Sequence, residues 1–335
     1  MSRYRGTVVM DELRRAAFGD LPRVSAGRLA RAASGPPRAR LLAAIVLGGQ
    51  GRYAAAADLL DDLGRDADPV LASLALSTLA SHRRQLGGHA AALGRDGAAL
   101  RLVAGVDGPA DPDGLDAAGA RTDALLGLAA DNLGIGRLGV ARRVLARAEP
   151  AGWRSRVRAG WVTAEIELAS GNAPAAVAPA EAALAASLEA SALRHRTKSR
   201  LVLAAALGAT GERAARERAL NLAGLALADA DRFALRSLSW PARLLAADLG
   251  LDGGEDRFRV DEVLHAVLLG SDPEGRRLAL ASPWIPVSPE LVQEDVHADI
   301  RAKIPQKKPP DRVKVRPKAS DRGYGTSPGC RKETP

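Results

Sequence analysis

The stretch Gly51-Arg52-Tyr53-Ala54-Ala55-Ala56 decides the fold, because its small residues return four more times along the chain. Equivalent glycines stand at 87, 136, 171 and 211, at separations of 36, 49, 35 and 40 residues. An alanine stands seven residues before every glycine, at Ala44, Ala80, Ala129, Ala164 and Ala204. Another stands five residues after the first four glycines, at Ala56, Ala92, Ala141 and Ala176. Small residues around a glycine turn allow paired helices to pack closely and stack.

The spacing of these residues resembles the tetratricopeptide repeat, which combines an early small residue with Gly-x-Tyr-x-x-Ala across its turn. Here the match is Ala44, Gly51, Tyr53 and Ala56, and it continues with Gly87, Gly136, Gly171 and Gly211 over roughly residues 38–250. The resemblance implies a right-handed α-solenoid whose concave face binds a peptide or a helix of a partner protein. The resemblance also implies a function as a scaffold or adaptor protein, or as a regulator.

Composition agrees with an all-α fold, since aromatic residues make up only 3% of the chain and alanine and leucine dominate it. We predict an N-terminal helical cap over 1–37 and about five helix pairs over 38–250. A C-terminal helix with a Pro-rich capping segment is predicted over 251–302. Residues 303–335 are basic, polar and without periodicity, which is typical of a disordered tail.

The net charge of +9 is concentrated at the C-terminal end. Residues 301–335 hold eleven Lys or Arg and three Asp or Glu, whereas the preceding residues hold 37 basic and 36 acidic side chains. The body is therefore nearly neutral. An alternative function follows from the tail, which would make salt-sensitive, nonspecific contacts with nucleic acid while the helix pairs recruit a partner.

The compartment predicted from the sequence is the cytoplasm. No run of 18 apolar residues exists for a membrane span, and residues 1–12 lack the apolar core of a signal peptide. The one cysteine, Cys330, has no second cysteine with which to form an internal disulfide.

No motif in the sequence indicates catalysis, a cofactor or a metal. The run Gly134-Ile135-Gly136-Arg137-Leu138-Gly139 matches a dinucleotide fingerprint, but it follows a helical segment where that chemistry needs a strand. Asp111 and Asp113 begin a calcium-loop pattern that fails at the later ligand positions. The five histidines are scattered. We therefore expect a non-enzymatic protein, with an enzyme on a helical scaffold as the least favoured alternative.

Two basic clusters are the candidate partner-binding residues. They are Arg194, Arg196, Lys198 and Arg200, and Arg154, Arg156 and Arg158. If these side chains line the inner face, they form a clamp for a peptide carboxylate or an acidic segment. If they do not, they form a solvated edge paired with Glu181, Glu189 or Glu212. The first interpretation predicts an acidic partner.

Overall fold

The computed structural model describes the backbone of residues 2–21, 23–251 and 255–286, and the side chains of 10–21, 23–251 and 259–286. These ranges contain fifteen α-helices and no strand. In chain order the helices are α1 Ser2–Phe18, α2 Ala26–Ala33, α3 Pro37–Gly49, α4 Tyr53–Leu63, α5 Pro69–Gln85, α6 His89–Leu102, α7 Ala117–Gly134, α8 Leu138–Leu145, α9 Trp153–Ala169, α10 Ala173–Glu189, α11 Leu193–Ala209, α12 Arg213–Arg232, α13 Arg236–Leu249, α14 Glu255–Leu269 and α15 Pro273–Leu280.

These helices belong to one compact unit, Met1–Val292. A second unit, Gln293–Pro335, lies outside the described residues and includes the predicted tail, 303–335. Within the first unit each helix packs mainly on its neighbours along the chain, as helical repeats do.

The five repeated glycines lie in the turns between the paired helices α3/α4, α5/α6, α7/α8, α9/α10 and α11/α12. All five have a left-handed backbone, with φ between 72° and 78°. At Gly51 the turn is a Schellman cap, in which the Arg52 amide donates to the Leu47 carbonyl at 2.9 Å. A residue with a Cβ is strained there, so the turn favours glycine, although Ser191 and Ala234 adopt a left-handed backbone before α11 and α13. Gly250 adds an unpredicted sixth turn of this kind, with φ of 86°, before α14.

The repeated alanines are fully buried. Ala44, Ala80, Ala129, Ala164 and Ala204 are all 0% exposed, and so are Ala56, Ala92, Ala141 and Ala176. Because alanine has no side chain beyond Cβ, helix axes approach closely at these positions. The core is consequently distributed over several clusters along the array.

One helix boundary and one additional helix differ from the sequence prediction. The sequence predicts a first helix over 38–53, but Tyr53 begins α4, because α3 ends before the turn at Gly51. Helix α15 was not predicted. It begins after Asp272, whose carboxylate accepts from the Gly275 amide at 3.0 Å as a helix cap.

The dinucleotide-like and aspartate-rich runs both have structural explanations. Gly136 has φ of 78° in the α7/α8 turn, and a helix precedes it. Asp111 and Asp113 both bind the Arg14 guanidinium, at 2.5 and 2.6 Å. Asp116 caps α7 by accepting from the Gly119 amide at 2.7 Å.

The last helices return to the first ones. The Ala54 amide at the start of α4 donates to the Gly270 carbonyl between α14 and α15, at 2.7 Å. Tyr53, 2% exposed, packs in one apolar cluster with Val260 and Leu264 of α14. Arg83 on α5, also 2% exposed, binds Asp272 at 2.7 Å. The array therefore closes, and the face that an open solenoid would present to solvent becomes an interior.

Candidate functional site

A cavity of about 600 Å³ lies inside the closed array. Its walls come mainly from α1, α3, α5, α7, α9, α11 and α13, and from α3 onward these are the first helices of the pairs. This volume is in the range of small-molecule binding sites. Trp284 lines the cavity and is 60% exposed, so the cavity reaches the molecular surface beside it.

Apolar side chains form most of the wall. The apolar lining includes Trp161 and Trp240, together with Leu126, Leu133, Val162, Leu201, Val202, Leu238 and Leu245. The Trp161 indole N–H donates to Ser199 Oγ at 2.8 Å, which fixes the orientation of the ring.

Five basic side chains also line the cavity: Arg84, Arg154, Arg158, Arg194 and Lys198. Arg154 and Arg158, one turn apart on α9, share the Asp123 carboxylate, and the Arg154 contact measures 2.7 Å. Lys198 binds Glu165 at 3.4 Å and lies 4.6 Å from the centre of the Trp161 ring.

Arg84 holds two buried carboxylates, those of Asp96 and Asp131, both 0% exposed. Burial raises the pKa of Asp131 to about 7, with Arg84 opposing this rise and the Asp96 charge adding to it. Burial likewise raises the pKa of Asp96. Because both carboxylates are buried and only one arginine neutralises them, the pair binds a proton more readily than two exposed carboxylates would.

Arg194 differs from the other four basic side chains. Within the described residues it forms no ion pair with a carboxylate, and its Nε has no hydrogen-bond partner. Among the described residues, the one hydrogen bond that Arg194 makes is long: it donates to Gln85 Oε1 at 3.4 Å. Burial lowers the pKa of Arg194, against a weaker opposing effect of Tyr53. Arg194 is half-buried, and a partly desolvated cation without a counter-ion is costly.

The histidines that line the cavity are neutral. Burial lowers the pKa of His82 to about 3. It also lowers the pKa of His89, and it lowers the pKa of His195 well below its usual value. The His195 ring lies 5.0 Å from Trp153 and 5.6 Å from Trp161. Nearby arginines contribute to each shift, so these rings supply hydrogen-bonding atoms without adding charge.

The structure separates the basic residues that the sequence grouped together. Arg194 and Lys198 line the cavity, as do Arg154 and Arg158. Arg196 and Arg200 lie on another face of α11 and bind Asp229 of α12 at 3.0 and 2.7 Å. Arg156 is exposed and donates to the Ala151 carbonyl at 2.8 Å. The acidic partners are therefore Asp229, Glu165 and Asp123, and not the three glutamates considered from the sequence.

Arg84, Gln85 and the cavity-lining tryptophans were missed as site residues, although the repeat carries a signal for them. The residues that line the cavity recur at fixed sequence distances before the turn glycine, namely 17, 13, 10, 6 and 3 residues. Residues at these distances lie on one face of a helix. Position 17 holds Arg154 and Arg194, position 13 holds Arg158 and Lys198, and position 10 holds Trp161 and Trp240. Arg196 and Arg200 fall outside this register.

Comparison with known proteins adds no assignment: neither a family model nor a curated protein matches this chain. Among the helices that the structure describes, none is both long and apolar enough to cross a bilayer.

Proposed function

We propose that this protein is a non-enzymatic binding protein, an adaptor or regulator acting in the cytoplasm, whose recognition site is the interior cavity. We further propose that its helix pairs form a right-handed, tetratricopeptide-like array. The repeat pattern supports the array, and Arg194 supports the binding role, because its charge has no counter-ion among the described residues.

The charges around the cavity favour an anionic ligand. Arg154 and Arg158 share a single carboxylate, and Arg194 has none. Arg84 faces two carboxylates, but the raised pKa values of that pair reduce their combined charge near neutral pH. An incoming anion would neutralise charge that already lies in the cavity wall, so the attraction to that charge offsets the desolvation of the ligand's own anionic group.

The size of the cavity favours a compact ligand. An α-helix with side chains is about 10–12 Å across and rises about 5.4 Å per turn, so about one turn would fill the space. A partner helix laid along the inner face, which the repeat resemblance implied, does not suit a closed array of this volume. The proposal therefore concerns a short anionic ligand and leaves the outer helices for contacts with proteins.

A cavity-filling variant tests this proposal. Ala205 lines the cavity and is half-buried on α11, so Ala205→Trp occupies the space, whereas Ala228→Trp places the same ring on the exposed face of α12. The probes are a pool of acidic tetrapeptides and a pool of small organic anions, with thermal stabilisation and tryptophan fluorescence as readouts. We expect at least one probe to stabilise the wild type and Ala228→Trp but not Ala205→Trp. Equal stabilisation of all three proteins, or of none, contradicts the proposal.

A further inference from the structure

We infer that the ligand of the interior cavity is an amphiphilic carboxylic acid, whose carboxylate binds Arg194 and whose apolar body lies against the tryptophan and leucine wall. This inference rests on the proposed function, because it names the chemical class that the same cavity binds. Three features of the cavity carry it: the free guanidinium, the apolar wall and the small number of other polar groups.

The guanidinium of Arg194 is placed to bind a carboxylate. Arg194 extends from the first turn of α11 to the end of α3, where a Cβ on Gly49 would stand 3.3 Å from Arg194 Nε. The glycine therefore leaves room for the arginine. Nε is buried against Gly49, but among the described residues Nη1 has no acceptor and Nη2 reaches Gln85 Oε1 only at 3.4 Å, so the two terminal nitrogens retain donors for a bidentate carboxylate.

The groups around Arg194 do not compete with an incoming anion. Tyr53 is kept neutral, because burial raises the pKa of its hydroxyl. His82 is neutral and 3% exposed, and its Nδ1 has no partner. The four other basic side chains that line the cavity each contact a carboxylate already. Arg194 is thus the one lining cation that contacts no described carboxylate, and it can bind one anionic head.

The wall beyond Arg194 is suited to a hydrocarbon or aromatic body. The residue ten positions before each turn glycine is Leu126 on α7, Trp161 on α9, Leu201 on α11 and Trp240 on α13. All four line this wall. Burying each methylene of a ligand against such a surface strengthens binding by about fourfold (~0.8 kcal/mol).

The neutral polar groups of the cavity are too few for a peptide backbone. Besides the three neutral histidines and the tryptophan N–H groups, they are Ser77, Thr78, Ser81, Gln85 and Ser237. The Thr78 hydroxyl already donates to the Leu74 carbonyl, the Gln85 amide to Ser81, and Ser237 to the Gly49 carbonyl. In the part of the chain that the structure describes, no asparagine lines the cavity. A peptide brings a donor and an acceptor per residue, and unpaired ones are costly, so a ligand with one polar head fits better.

The test compares three probes by calorimetric titration at pH 7.5: decanoate, decanol and the free-acid peptide Leu-Leu-Leu-Leu. The variants are Arg194→Met and the control Arg196→Met, which lies two residues away on α11 but outside the cavity. We expect decanoate to bind the wild type at least tenfold more tightly than decanol or the peptide. Arg194→Met should lose at least tenfold in decanoate affinity, whereas Arg196→Met stays within twofold.

Each other outcome decides a separate point. Equal binding of decanoate and decanol to the wild type overturns the carboxylate head, even if Arg194→Met fails to fold. Tighter binding of the peptide than of decanoate overturns the ligand class and leaves the proposed function standing. If decanoate binds Ala205→Trp as well as the wild type, its site is not the cavity, and the inference fails. The proposed function fails only if the two probe pools also show no dependence on the cavity.

Discussion

At the scale of single residues, the buried charges divide into those with partners and one without. Arg83 is 2% exposed, and Arg194 is half-buried in the cavity wall. Arg83 binds Asp272 at 2.7 Å and Glu274 at 3.3 Å, whereas Arg194 contacts no described carboxylate. The first is a structural ion pair, and the second is a charge that the fold carries at a cost.

The two arginines should therefore respond in opposite directions to methionine. Arg83→Met leaves Asp272 partly buried without its partner, so we expect the free energy of unfolding to fall by about 3–5 kcal/mol. Arg194→Met removes an unneutralised charge and should raise it by about 1 kcal/mol or more in the ligand-free protein. Urea denaturation of both variants measures this. A loss of stability in Arg194→Met similar to that in Arg83→Met would show that Arg194 has a structural role.

The carboxylate pair on Arg84 gives the protein a defined pH response. Because the pKa of Asp131 is raised to about 7, the native state holds a proton that the unfolded chain releases above about pH 4. Native stability contributed by this group is present at low pH and is lost as the pH rises toward 7, by at most about 1.4 kcal/mol per pH unit.

Asp131→Asn removes that titration. We expect the unfolding free energy of Asp131→Asn, relative to the wild type, to increase between pH 4 and 7 and to level off above pH 7. The exposed Asp61→Asn is the control, and its difference from the wild type should stay constant with pH over that window. Denaturant titrations at five pH values measure both. Parallel curves for Asp131→Asn and the wild type would mean that the pair holds no extra proton.

At the scale of the helix pair, glycine acts through the backbone and alanine through packing. Gly211 and Gly224 separate the two effects of glycine, because nothing lies within 4 Å of a Cβ built at either position. Gly211 has φ of 77° in a turn, whereas Gly224 lies inside α12.

Replacing these two glycines by alanine should change stability in opposite directions. Gly211→Ala forces a side chain into the left-handed region and should cost about 1–2 kcal/mol. Gly224→Ala removes a flexible residue from a helix and should gain up to about 1 kcal/mol. Thermal and urea unfolding measure both. Destabilisation by both substitutions would show that something other than the backbone requires Gly211.

The sequence predicts the elements well, because their determinants are local. Gly51, Gly87 and the three later glycines mark turns that need a left-handed residue, and this requirement acts within six residues. The inward face of each first helix could also be predicted, since the register from the glycine places Arg194 and Lys198 together and leaves Arg196 out. Which charges find partners could not be predicted. Arg83 meets Asp272 across 189 residues, and no local pattern carries that contact.

At the scale of the whole helical unit, closure makes the first and last helices depend on one another. An open repeat array transmits stability only between neighbours. Here the Ala54 amide is protected by the Gly270 carbonyl, and Asp272 both caps α15 and holds Arg83.

Closure is tested by removing the N-terminal cap of α15 and measuring amide hydrogen exchange in the first helix pair, α3/α4. In Asp272→Ala we expect the Ala54 amide to exchange hydrogen at least tenfold faster, because the segment that carries Gly270 loses its anchor. Asp62→Ala is the control. Asp62 is nearer to Ala54 in sequence, but it makes only a surface ion pair with Arg40, and its removal should leave Ala54 unchanged. Unchanged exchange at Ala54 in Asp272→Ala would indicate that the array stays shut without this contact.

The most direct measurement is a crystal structure of the full chain with 10-bromodecanoate, whose bromine is located by anomalous scattering. We predict a bromine peak inside the cavity, beside Trp161 or Trp240, and a carboxylate within about 2.7–3.2 Å of the Arg194 guanidinium. Bromine found only on the outer surface, or an empty cavity at saturating ligand, would contradict the claim that this interior is a binding site for anions.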